Sequence, residues 1–242
     1  MQLTVYGNNA TCPEPGGACA CYLVEAAGRR VLFDMGNGSL SFFGRGHDLA
    51  ALDAIVISHL HFDHFGDLFC AKYQLESRRA YGEPVPVLPL YAPRLPDWAA
   101  AELLDNGVFD YHAVSDGTAF CVGGVRVQAY AMRHLVESYG FRITDGRRTL
   151  VYSGDTGVCD ALAPLCAGCD TLLCEATFHA GMGAEEGHHL SAATAGALAR
   201  QAGAGALLLT HYHAGHAARI LKEAQAAFPA ARLTGILGQY DV

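Results

Sequence analysis

The sequence predicts an α/β domain in which helices cover two mixed β-sheets. Three observations support this fold class: short runs of β-branched and aliphatic residues recur between turn signals, hairpin-like pairs fill the first half, and strands alternate with helices in the second half. The length of 242 residues fits one domain, residues 1–242, with two domains as the alternative. No low-complexity linker divides the chain, and a hydrophobic content of 51% allows a large buried core.

The predicted elements follow one another closely along the chain. The segments "EAAGRR" and "TDGRR" have the composition of tight turns and predict two hairpins. Apolar runs between turn signals predict strands at residues 2–6, 20–25, 30–34, 54–58, 87–91, 124–130, 138–144, 149–153, 170–174, 206–210 and 231–234. Helical periodicity predicts helices at residues 64–80, 97–105, 157–165, 191–202 and 216–227.

Charge and composition argue against several classes of protein. The net charge is −8 and the chain has two lysines, so it lacks the basic face of a protein that binds long DNA or RNA. A small phosphorylated ligand remains compatible with this charge. No apolar run reaches the roughly 18 residues of a membrane span, and "MQLTVYG" predicts a first strand without signal-peptide features. We therefore expect a cytoplasmic protein that does not enter membranes.

The nine cysteines are expected to be free. Their number is odd, and the chain is neither small nor evidently secreted, so disulfides are not predicted. Cys166 and Cys169 form a C-x-x-C pair just before an apolar strand, but one such pair without a second is weak support for structural zinc. We expect both sulfur atoms to lie in the core.

The segment "ISHLHFDHFGD" concentrates metal-binding side chains behind an apolar strand. In an extended loop, residues two apart project the same way, so His59 and His61 can bind one ion. Asp63 and His64 then face a second ion as the chain enters the following helix. Imidazole and carboxylate ligands suit zinc best, with manganese or iron as alternatives. The spacing therefore predicts a metal centre rather than a polar loop.

Three later strands repeat this pattern. His134 follows "VRVQAYAMR", Asp155 follows "TLVYSG", and His211 follows "ALLLT". In α/β proteins, loops at the carboxyl ends of strands are where functional sites usually lie. The sequence thus predicts two divalent ions. The first is held by His59, His61 and His134, the second by Asp63, His64 and His211, and Asp155 bridges them.

At this point the chain resembles the metallo-β-lactamase superfamily. The motifs "SHLHFDH", "RH", "YSGDT" and "LTHYH" match that superfamily in order, and the resemblance covers essentially the whole chain. It implies an αββα sandwich with a dinuclear zinc site at one edge. The earlier segment "LFDMGNG" matches the superfamily's Asp-x-Gly strand end, where the resemblance implies that Asp34 supports a ligand instead of binding metal itself.

Two further stretches resemble the ribonuclease Z branch of this superfamily. "LLCEATF" is similar to its H-E-A-T motif, with Cys174 in place of the histidine, and "GHHLSAATAG" is similar to its G-H-S-T segment. The resemblance implies that Glu175 orients His189, which donates a hydrogen bond or a proton to the phosphate or the leaving oxygen. The tRNA-binding arm of ribonuclease Z has no counterpart between His134 and Asp155. The layout is closer to arm-less relatives such as the YhfI-like proteins and the atypical class II cyclic-AMP phosphodiesterases.

These resemblances predict a phosphodiesterase that acts on a small nucleotide, cyclic nucleotides included, using water that the two ions activate and Asp63 orients. Alternatives are a carbonyl hydrolase of the same fold (a lactonase or thioesterase), ribonuclease Z-type RNA 3′ processing, and a metal-binding scaffold without activity. The resemblance also suggests a homodimer. Arg133 is expected to point away from the site and His188 toward solvent. Arg45 and His213 are candidates for contact with substrate, while His47, His112, His179 and His216 are assigned structural roles.

Overall fold

Two seven-stranded mixed sheets face each other, and helices cover their outer faces. The computed structural model describes residues 1–182 and 187–242. Aromatic side chains from both sheets meet in the central layer, where the Phe33 and Phe141 ring centroids lie 5.7 Å apart and those of Tyr22 and Tyr152 lie 4.9 Å apart. Separate apolar clusters join each sheet to its own helices. The architecture is the predicted αββα sandwich.

The first sheet takes its strands from the first half of the chain and from the C-terminus. Its order is β14-β1-β2-β3-β4-β5-β6. Strand β3 pairs in parallel with β4, so both strands end at the same edge of the sheet. The strands are β1 (Gln2–Gly7), β2 (Cys21–Ala26), β3 (Arg29–Phe33), β4 (Ala54–Val56), β5 (Leu88–Ala92), β6 (Phe109–Ala113) and β14 (Gln239–Asp241).

The second sheet has the order β13-β12-β11-β10-β9-β8-β7. Strands β10, β11 and β12 are parallel neighbours, which places their carboxyl ends side by side. The strands are β7 (Ala119–Val122), β8 (Val125–Ala131), β9 (Tyr139–Thr144), β10 (Thr149–Tyr152), β11 (Thr171–Glu175), β12 (Ala206–Thr210) and β13 (Arg232–Leu233).

The helices pack an apolar face on the sheets. In one of them, Ser191 accepts a hydrogen bond from the Thr194 amide at the N-terminus, and Gly203, at a φ of 66°, ends the helix. No helix in the described parts of the chain is long and apolar enough to cross a membrane. The helices are α1 (Ser39–Phe43), α2 (Phe62–Ala80), α3 (Asp97–Leu104), α4 (Leu162–Cys166), α5 (Ala192–Ala202) and α6 (Ala217–Ala227).

All eleven predicted strands form, within one or two residues at each end, and both predicted hairpins are present as β2–β3 and β9–β10. The sequence did not predict β6, β7, β14 or α1. These strands lie at or beside sheet edges and are half exposed, so they lack a clean apolar pattern. The helix predicted at 157–165 is wrong in extent, because α4 covers only Leu162–Cys166. Cys166 and Cys169 are buried and free, as predicted.

Candidate metal centre

Seven of the residues singled out from the sequence meet at one edge of the sandwich. Each lies between one and eight residues after the last residue of a strand. His59 and His61 follow β4, His134 follows β8, and the first turn of α2 holds Asp63 and His64. The remaining two, Asp155 and His211, follow β10 and β12. The topology therefore brings together residues that are up to 152 positions apart in the chain.

The first three histidines converge on one point. His61 Nδ1 lies 3.2 Å from His59 Nε2 and 3.1 Å from His134 Nε2. Burial lowers the pKa of all three imidazoles, most strongly that of His59, which is fully buried. Neutral imidazoles with nitrogen atoms this close together are suited to share one divalent ion.

The second group lies beside the first. His211 Nε2 lies 3.3 Å from Asp63 Oδ2, and His64 Nε2 lies 3.8 Å from the same oxygen. Burial acts to raise the pKa of Asp63, but the hydrogen bond from His211 and the charge of His64 outweigh it and lower that pKa. A lowered pKa favours the ionised carboxylate, which is the form that binds a metal.

Asp155 lies between the two groups. Its Oδ2 atom is 3.8 Å from His59 Nε2, 3.4 Å from His64 Nε2 and 3.3 Å from His211 Nε2. Asp155 Oδ1 and His64 Nε2 are buried without a hydrogen-bond partner in the described residues. Such atoms are costly unless something binds them, and a divalent ion at each group would do so. The donor set therefore fits two divalent metal ions.

Asp34 orients His64 from behind. Its Oδ2 atom accepts hydrogen bonds from His64 Nδ1 at 2.8 Å and from the Tyr152 hydroxyl at 2.6 Å, and Ser58 donates to both carboxylate oxygens. The proton on Nδ1 leaves the Nε2 lone pair of His64 directed at Asp63 and Asp155. Asp34 lies 30 residues before His64, in the supporting position that the resemblance implied.

The loop between β1 and β2 contributes a contact that the sequence did not reveal. The Thr11 amide donates to Asp63 Oδ2 at 2.9 Å, and Thr11 has a left-handed φ of 64°. Non-glycine residues rarely adopt this conformation, and those that do often lie at functional sites. The unusual conformation directs the amide at the Asp63 carboxylate, a contact with no signal in the motifs.

The buried Glu175 carboxylate pairs with the half-buried His189 next to Asp155. His189 Nδ1 lies 3.1 Å from both oxygens of Glu175 and 3.8 Å from Asp155 Oδ2. Burial opposes charge on His189, but the Glu175 carboxylate outweighs it and raises the pKa of His189 to about 9. Thr177 extends the arrangement, since its hydroxyl donates to Glu175 Oε2 at 2.7 Å and lies 2.9 Å from His211 Nδ1. Glu175 therefore supports His189 directly and His211 through Thr177.

One expectation for this region needs correction. Arg133 was expected to point away from the site, but β8 ends at Ala131, so strand alternation does not extend to Arg133. Its side chain instead lines a cleft of about 440 Å³ together with His189. His188 is exposed, as expected, and its backbone carbonyl lies 2.9 Å from His134 Nδ1. The carbonyl thereby fixes the orientation of His134.

The other side chains singled out from the sequence, Arg45, His213 and His112, do not line this cleft. The Arg45 guanidinium packs 4.7 Å from the centroid of the Phe42 ring and does not line the cleft. His213 lies beside His216, with ring centroids 6.2 Å apart. His112 is paired with Asp110 on the surface.

Known proteins with similar sequences belong to a superfamily that has this fold. A family model described as "Beta-lactamase superfamily domain" matches residues 29–212. The probable metallo-hydrolase YhfI of Bacillus subtilis is 30% identical over 235 residues, 94% of each chain. The uncharacterized protein Rv1339 of Mycobacterium tuberculosis is 33% identical over 87% of this chain and 80% of its own, and a Mycobacterium bovis ribonuclease Z is 28% identical over 88% and 86%.

Solved structures show the same architecture. The crystal structure of Bacillus subtilis YhfI superposes with a TM-score of 0.93 at 27% identity, covering 99% of this chain and 98% of that one. A diphosphatase of the PhnP family gives a TM-score of 0.75 at 19% identity, covering 99% and 96%. At that identity, the second likeness concerns the fold alone.

Proposed function

The chain belongs to the metallo-β-lactamase superfamily, and we propose that within it this protein is a dinuclear metal-dependent phosphodiesterase that acts on small substrates. The observation that carries the proposal is the Glu175–His189 pair, whose imidazole lies 3.8 Å from Asp155. A protonated imidazole next to a two-ion site suits a reaction that expels an alkoxide. A similar protein named ribonuclease Z supports phosphoester chemistry.

The proposed metal ligands form two sets, which are the two groups of donor atoms described above. His59, His61 and His134 would hold one ion, and Asp63, His64 and His211 the other, with Asp155 between them. Zinc is the proposed metal, because imidazoles outnumber carboxylates in this set. When bound, two such ions polarise a phosphoryl oxygen and lower the pKa of water to about 7.

The protein side chains have separate tasks in this reaction. Asp63, held by the Thr11 amide and near His211, orients the attacking water. The Glu175 carboxylate holds His189 Nδ1 and raises the pKa of His189, which favours the protonated imidazole. The Nε2–H of His189 is then free to donate its proton to the leaving oxygen. General acid catalysis of this kind contributes about 10²–10⁴-fold to the rate.

The cleft beside His189 suits a small anionic substrate. Its volume of about 440 Å³ is in the usual range for small-molecule pockets. Arg133 provides a guanidinium for phosphate oxygens, while Ser191 and Thr194 provide hydroxyls. Apolar side chains, among them Phe178, form the other wall. With the net charge of −8, these features favour a nucleotide-sized phosphodiester over a long nucleic acid.

A substrate panel tests the proposal. Zinc- and manganese-loaded protein is assayed on bis(p-nitrophenyl) phosphate, 3′,5′-cyclic AMP, a thioester and a lactone, with His189→Ala and the surface control His112→Ala alongside. We expect turnover of 3′,5′-cyclic AMP, whose leaving group is an alkoxide, to fall by about 100-fold or more in His189→Ala and to be unchanged in His112→Ala. Turnover of the thioester or lactone alone, indifferent to His189, would instead establish a carbonyl hydrolase.

A further inference from the structure

A second pair of histidines lies outside the metal centre. His179 is in the segment that follows β11, and His216 precedes α6. His179 Nε2 lies 3.2 Å from His216 Nδ1, and the ring centroids are 4.8 Å apart with an interplanar angle of 62°. His179 is buried and His216 is half-buried, so the pair is sheltered from solvent without being sealed from it.

The pair repeats an arrangement found inside the metal centre. There, His134 Nδ1 lies 2.9 Å from a backbone carbonyl and His134 Nε2 lies 3.1 Å from His61 Nδ1, with ring centroids 4.9 Å apart at 71°. Likewise, His179 Nδ1 lies 3.0 Å from the carbonyl of Ala180, and its Nε2 faces His216. In each case the carbonyl holds the proton on Nδ1 and leaves the Nε2 lone pair directed at the neighbouring ring. Metal-binding histidines are typically held in this way.

The charged groups next to this histidine pair, Glu223 and Arg219, allow a cation to bind between the two rings. The Glu223 carboxylate accepts hydrogen bonds from the Ala180 amide at 2.9 Å and from Arg219 Nε at 3.1 Å, next to His179. Arg219 also donates to the Ala180 carbonyl. Because Glu223 neutralises the positive charge of Arg219, that charge does not oppose a cation beside the two rings.

We propose that His179 and His216 form an accessory binding site for a divalent transition metal such as zinc. Among the described residues no third donor joins them within ligand distance, so water completes the coordination. With two protein ligands, this site binds more weakly than the centre that has seven candidate ligands. A bound ion joins the residues that follow β11, next to Phe178 in the cleft, to the start of α6. The proposal does not depend on the reaction that the main centre catalyses.

Zinc titration by calorimetry tests the site. Protein that already holds zinc at the main centre is titrated with further zinc, and the unaltered chain is compared with His179→Ala, His216→Ala and the control His112→Ala. His112 is a surface histidine paired with Asp110, so its removal changes the histidine count but not the site. We expect one further zinc equivalent in the unaltered chain and in the control, and its loss in each of the other two variants.

Copper(II) electron paramagnetic resonance provides a second readout that does not depend on heat of binding. The accessory site should show hyperfine coupling to two imidazole nitrogens, a signal that is lost in His216→Ala. Since His216 is partly exposed, this variant is expected to fold, which a far-ultraviolet circular dichroism spectrum checks. If the unaltered chain binds no further zinc, or if His179→Ala and His216→Ala both bind it as the control does, the pair is only a hydrogen bond and the proposal is wrong.

Discussion

Replacing Asp34 by asparagine should weaken metal binding without unfolding the protein. Asp34 is fully buried and accepts hydrogen bonds from the Ser58 amide, the Ser58 hydroxyl, His64 Nδ1 and the Tyr152 hydroxyl, all within 2.8 Å. It also has a left-handed φ of 58°, which asparagine tolerates better than most residues. The Asp34→Asn substitution therefore preserves the backbone while removing the negative charge and one acceptor.

The expected magnitude follows from these contacts. The amide keeps one acceptor oxygen, so at least one of the four donors faces an NH₂ group, and one unsatisfied buried donor costs about 1–3 kcal/mol of the free energy of unfolding. For a chain of this size, that loss corresponds to a decrease in Tm of roughly 2–12 °C. Removal of the charge behind His64 also lowers its basicity, and loss of such a supporting group typically weakens metal affinity by about 10–100-fold.

Competition with a zinc chelator measures the affinity, and calorimetric melting measures the stability. Asp53→Asn serves as the control, because Asp53 pairs with Arg29 near the surface and its loss should change the free energy of unfolding by less than about 0.5 kcal/mol. If the Asp34→Asn protein is folded and binds zinc as tightly as the unaltered chain, Asp34 does not orient a ligand and the reasoning fails.

Three further outcomes are expected. Thr177→Val should lower zinc affinity about tenfold, because His211 Nδ1 loses its partner at 2.9 Å. The control Thr4→Val removes a buried hydroxyl that has no partner in the described residues, and it should leave zinc affinity unchanged. Chelator competition compares the two variants. Arg133→Ala should raise KM for anionic phosphodiesters with little change in kcat, while Arg45→Ala should leave both constants unchanged. If steady-state kinetics gives the same KM for the two variants, the cleft does not bind the substrate. Removing zinc with a chelator should lower the free energy of unfolding by about 2.7 kcal/mol relative to protein at zinc concentrations 100 times the Kd, and an unchanged Tm would mean that metal does not bind the folded site.

The sequence predicted which residues meet at this edge because each lies in a segment that follows an apolar strand. Parallel strands end at a common edge, so a strand pattern followed by His or Asp already indicates where the side chain will lie. His134, Asp155 and His211 were placed in this way, and the structure brings them next to His59 and Asp63. Their role as metal ligands remains a prediction.

The contacts that the sequence did not predict are of two kinds. Some involve the backbone, such as the Thr11 amide on Asp63 and the His188 carbonyl beside His134, and a peptide group has no sequence signature. Others depend on where a strand stops. Arg133 reaches the cleft because β8 ends two residues before it, and periodicity alone does not fix such an end.

The measurement that tests the central claim most directly is the dependence of the His189→Ala defect on the leaving group. Zinc-loaded protein and the variant are compared on two phosphodiesters, one that releases p-nitrophenolate and one that releases an alkoxide. If His189 protonates the leaving oxygen, kcat should fall by about 100-fold or more for the alkoxide substrate and by less than about tenfold for p-nitrophenolate, which needs no proton. Equal losses on both substrates, or no phosphodiester turnover by the unaltered protein, would contradict the account.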